Sequence, residues 1–151
     1  MRVVSGGLTL DLPPGWEARV RRQPPSEPGR RGNVLLHAAT IPIPAQRGDF
    51  GSGLVDRLRA DDAFVALFEY DAGDADKVLF AATRLPVPKP SDFSPAVLQR
   101  TLAGNTGAQW FFALSGRAFS LHAVLGSHGR RAPGAAKVAQ LLRGLHVGVD
   151  A

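Results

Sequence analysis

A chain of 151 residues is long enough to bury one continuous core and fits a single domain, residues 1–151. Its 44% apolar and 21% charged residues are ordinary for a globular protein, and no apolar run nears the roughly 20 residues of a membrane-spanning helix. The absence of cysteine excludes disulfides, thiol nucleophiles and thiolate metal sites, while a net charge of +5, carried by 15 Arg against 3 Lys, favours anionic partners without specifying one.

The first predicted strand is 8–12, where Leu8, Leu10 and Leu12 alternate with Thr9 and Asp11. Pro13-Pro14-Gly15 ends it, and alternation resumes with Trp16, Ala18 and Val20, so the two segments are expected to pair as a hairpin. Residues 23–32 read as an arginine-decorated loop. The apolar run 34–41 is a central strand closed by Pro42 and Pro44. A short helix follows over about 52–60, capped by Ser52 and carrying Leu54, Val55 and Leu58 inward.

Residues 63–70 and 77–83 are the next predicted strands, separated by the turn-rich Asp71-Ala72-Gly73-Asp74. Ser94 as cap and Pro95 at the first helical position mark a second helix, with Val97, Leu98 and Leu102 inward and Gly104 as its stop. Residues 109–115 and 118–125 form a hairpin turning near Gly116. Trp110, Phe112 and Leu114 share one face of its first arm; Phe119, Leu121, Ala123 and Leu125 share one face of its second. A last helix opens at Pro133, with Val138, Leu141, Leu142 and Leu145 at helical spacing. Hairpin-linked strands without regular strand–helix alternation predict an α+β fold: a six- or seven-stranded antiparallel sheet with helices packed on its faces.

The Leu12-Pro13-Pro14-Gly15-Trp16 turn, the mid-chain helices, the 109–125 hairpin and the last helix together resemble the Mog1/PsbP-like fold group. Members of that group commonly begin with a strand, a Pro-Gly-Trp-like turn and a second strand. The resemblance implies a binding or accessory role in a group whose members are mostly non-enzymatic, and carries over no binding residue; the bacterial source is expected from the bias to Arg, Ala and Gly.

Candidate sites are few. The loop 126–134 leads into the last helix, and His128, Arg130 and Arg131 there could hold a phosphate-bearing ligand, although Ala135 and Ala136 stand where a Walker loop requires Lys and a hydroxyl. Arg19, Arg21, Arg22, Arg30 and Arg31 form a second basic group, but aromatics free to stack on bases are missing, which disfavours nucleic acid. His37 and His122 lie within strands without metal-binding spacing, and His122 shares a face with Ser120 and Val124. Asp71-x-Gly73-Asp74-x-Asp76 lacks the calcium-loop order.

In Trp110-Phe111-Phe112, alternation turns Phe111 away from its neighbours, so Phe111, with Phe50 or Phe93 nearby, is a candidate protein interface. No catalytic motif, cofactor site or metal site stands out. The reading is a cytoplasmic, non-enzymatic adaptor that binds a protein partner or its own copy through a sheet face or loops; the alternative is an anionic ligand at the 126–134 loop.

Overall fold

The computed structural model describes residues 1–25, 27–98 and 102–150. Its strands are β1 (Arg2–Ser5), β2 (Leu8–Asp11), β3 (Glu17–Arg22), β4 (Val34–Ala39), β5 (Ala63–Glu69), β6 (Thr106–Leu114), β7 (Arg117–Leu125) and β8 (Leu145–Val147). They form a five-stranded antiparallel sheet, ordered β3-β4-β5-β7-β6, and a three-stranded sheet, ordered β1-β2-β8. One α-helix, α1 (Arg131–Arg143), joins β7 to β8.

This corrects the expected architecture. The fold is mostly β, with its strands divided between two sheets and one α-helix among the described residues, in place of a single six- or seven-stranded sheet layered with helices. The first hairpin does not form. β2 is flanked by β1 and β8, so both its edges are taken and β3 must pair elsewhere, with β4. Gly15 makes the redirection possible with φ of 87°, a conformation that other residues resist.

The helix expected over 52–60 shrinks to one 3-10 turn, Val55–Arg57, because Gly53 in its first turn and Gly51 just before it hold left-handed conformations. The strand expected over 77–83 is replaced by the 3-10 turn Val78–Phe80, which tucks Phe80 inward. The helix expected after Ser94 runs into residues 99–101, which lie outside the described residues. Its start is a 3-10 turn, Pro95–Val97, with the Ser94 hydroxyl accepting from the Ala96 amide at 3.1 Å, and Leu98 is already extended.

The two faces of the large sheet are built differently. One carries Val34, Leu36, Ala38, Val65, Leu67, Phe119, Leu121 and Ala123 into a core closed by α1 and by Leu8 and Leu10 of the small sheet. The other carries Ala39, Phe64, Ala66 and Val124, and is roofed by the irregular segment 40–62 through Ile41, Ile43, Leu54 and Val55. β4, β5 and β7 therefore have apolar residues on both faces, as strands covered on two sides do.

Candidate functional site

The second face holds a polar row inside this apolar setting. Arg19 pairs in register with His37, His37 with Ala66, Ala66 with His122, and His122 with Gln109. Directly opposed residues point to the same side of a sheet, so the row crosses all five strands on one face. His37 and His122 stand two strand spacings apart, roughly 10 Å. Both are essentially fully buried.

His37 anchors the roof. The Arg47 guanidinium, which can only donate, gives its Nε hydrogen to His37 Nδ1 at 2.6 Å. The His37 proton therefore sits on Nε2, which donates to the Asp49 carbonyl at 2.6 Å. Arg47 also donates to the Pro44 carbonyl, and Asp49 pairs with Arg21 of β3. Burial, and after it the charges of Arg47 and Arg21, push the His37 pKa down to about 4, against the pull of the Asp49 carbonyl. The ring is neutral at pH 7.

The roof then passes over His122. Phe50 meets the His122 ring edge-on at 5.7 Å and stacks on Phe68 at 5.8 Å. Gly51 follows with φ of 88°, and a Cβ there would lie 2.5 Å from Phe64 Cε2, so this close approach requires glycine. Beneath the roof is a cavity of about 230 Å3 lined by Asp49, Phe50, Ser52, Val55, Leu98 and His122, among others. His122 Nδ1 is enclosed without a hydrogen-bond partner among the described residues. Burial pushes the His122 pKa down to about 4, so this ring is neutral too.

A buried polar atom left unbonded costs about 1–3 kcal/mol and calls for an explanation. The Ser120 hydroxyl does not supply the bond as a serine–histidine pair would; it accepts from Tyr70 Oη at 3.3 Å. With its pKa near 4, His122 can position a ligand but is poorly matched to general-base work at neutral pH.

The residues singled out from sequence are dispersed. In the 126–134 loop, His128 Nδ1 lies 2.9 Å from the Thr106 hydroxyl, Arg130 pairs with Asp61, and Arg131 donates to the His128 carbonyl at 2.9 Å. Each has a different partner. Phe50 and Phe111 lie on the roofed face, half-buried, at the two ends of an aromatic chain running through Phe68, Tyr70 and Phe80. Phe93 is buried in the opposite core against Trp110, so the three phenylalanines do not form one patch. Among the described residues no three His, Asp or Glu side chains gather as a metal ion needs, and no helix is long and apolar enough to cross a membrane.

No protein-family model matches the chain, and no solved structure matches it significantly. A segment of 41 residues is 54% identical to a deoxyuridine 5'-triphosphate nucleotidohydrolase of Solibacter usitatus (strain Ellin6076). This likeness is to an enzyme. It covers 27% of this chain and 23% of that protein, so the chain spans about a quarter of the length of the curated relative it matches. The expectation of a non-enzymatic accessory protein is corrected on this point, because the matched relative is named for a hydrolysis. Nothing in these matches bears on the Mog1/PsbP-like resemblance of the first turn.

Proposed function

We propose that the cavity beneath the 40–62 roof binds a single planar ring of the nucleobase class, and that a deoxyuridine nucleotide is its ligand and substrate. The observation that carries this reading is the wall joining Phe50 to His122, where an aromatic ring and an imidazole with its Nδ1 unbonded border one cavity. A neutral imidazole nitrogen donates or accepts according to its tautomer, so the unbonded His122 Nδ1 can meet one C=O or N–H group of a pyrimidine dione. The volume of about 230 Å3 lies below the about 300 Å3 at which drug-sized pockets begin, a size for one ring and its nearest substituents. The likeness to a deoxyuridine 5'-triphosphate nucleotidohydrolase supports the choice of base, and makes hydrolysis of the triphosphate the reaction to assay.

Calorimetric titration with deoxyuridine and its 5'-monophosphate tests the reading, with triphosphate hydrolysis followed in parallel. Saturable binding is expected for the parent protein and a loss of about tenfold or more in His122→Phe, which keeps an aromatic ring and removes both nitrogens. If the parent protein binds neither nucleoside nor nucleotide, the reading fails.

A further inference from the structure

The roof's outer edge carries more positive charge than its carboxylates balance. Arg19 and Arg21 are two apart on β3 and face the same side as His37, while Arg22 turns to the other side and pairs with Asp150. Arg47, from the roof, reaches the same place by its bond to His37. Three arginines therefore share the side of the sheet that holds His37, and one of them, Arg47, bonds its ring.

Their partners are few. Asp49 holds Arg21, and Glu17, two residues before Arg19, accepts from the Ile43 amide at 3.1 Å. The bond found for Arg19 runs from Nη1 to the Ala18 carbonyl at 3.0 Å, and Arg47 donates to His37 and to backbone carbonyls. Among the described residues neither Arg19 nor Arg47 has a carboxylate partner. Burial, followed by the charges of Arg21 and Arg19, holds the Arg47 pKa below its ordinary value, as expected where like charges crowd together. Asp49 links this edge to the cavity, since its carboxylate holds Arg21, its carbonyl accepts from His37 and the residue lines the cavity wall.

We propose that Arg19, Arg21 and Arg47 form a binding site for a phosphate or diphosphate group, with Asp49 occupying Arg21 until the anion displaces it. Guanidinium forks match phosphate oxygens in charge and geometry. The proposal rests on the cavity reading in one respect: it makes this edge the place for the phosphates of a nucleotide whose base lies beside His122. The anion site itself stands on the arginines alone.

The two parts separate experimentally through inorganic pyrophosphate and deoxyuridine, each titrated alone at low ionic strength. Pyrophosphate should bind the parent protein, bind about tenfold or more weakly to Arg19→Ala/Arg21→Ala, and bind more tightly to Asp49→Asn, in which Arg21 is released. An unchanged thermal midpoint in the double variant would show that the loss is not unfolding. Pyrophosphate that fails to bind, or binds parent and double variant alike, overturns the anion site whatever deoxyuridine does. Pyrophosphate binding that the double variant loses, with no binding of deoxyuridine, upholds the anion site and overturns the cavity reading.

Discussion

His37 and His122 are buried neutral, with pKa values of about 4 in the fold against an ordinary 6.5. Well above pH 6.5 neither ring carries a proton in the folded or unfolded chain, and stability does not change on their account. As pH falls from 6.5 towards 4 the unfolded chain takes up the protons first, so stability falls with pH across that window. Each histidine contributes a loss on the order of 3 kcal/mol by pH 4. Together that rivals the whole stability of an ordinary domain, about 5–15 kcal/mol. Urea denaturation at pH 7, 6 and 5 should show the decline, and His122→Leu should remove about half of its slope. A stability independent of pH between 7 and 5 would mean that the rings are not buried neutral.

A buried ion pair lies where the two sheets meet. Arg117, at the start of β7, donates from Nε to Glu69 of β5 at 2.8 Å and from Nη1 to the Gly6 and Gly148 carbonyls at 2.9 and 3.0 Å. Glu69 also accepts from the Val34 amide of β4 at 2.9 Å. Gly6 belongs to the β1–β2 turn and Gly148 follows β8, so this guanidinium ties the small sheet to the large one. Arg117→Met should cost about 3–5 kcal/mol, because it leaves the Glu69 carboxylate buried and uncompensated. The shift in urea midpoint measures this, and a loss below about 1 kcal/mol would remove the pair from its assigned place.

Much of the large sheet was legible before folding. The 109–125 hairpin, the apolar run of β4, the segment that becomes β5 and the last helix all follow from alternation, helical spacing and turn residues. β1 and β8 were not foreseen, since short strands of four and three residues carry too little pattern and exist only by pairing with β2. The site was legible only in pieces. His37 and His122 could be named as strand histidines, but the row joining them depends on the registers of β4, β5 and β7, which local pattern leaves open. Arg47 and Asp49 carried no signal, because their roles come from where an irregular segment happens to lie.

At the scale of the whole molecule the two faces of the large sheet divide the work. One is sealed by α1 and the small sheet into a continuous apolar core. The other is covered by a segment with little regular structure, and there the fold places its buried imidazoles, a cavity and the Arg47 guanidinium on His37. Irregular segments on a rigid sheet are common carriers of binding sites, because their backbone can be shaped to a ligand while the sheet holds the side chains below.

Histidine ring 15N chemical shifts, followed while deoxyuridine 5'-monophosphate is added, test this assignment most directly. The His122 nitrogens should move in proportion to saturation, with smaller changes at His37, while His128 and His146 stay still. Movement confined to His128, beside the α1 loop, or no movement at any histidine at saturating nucleotide, would contradict it.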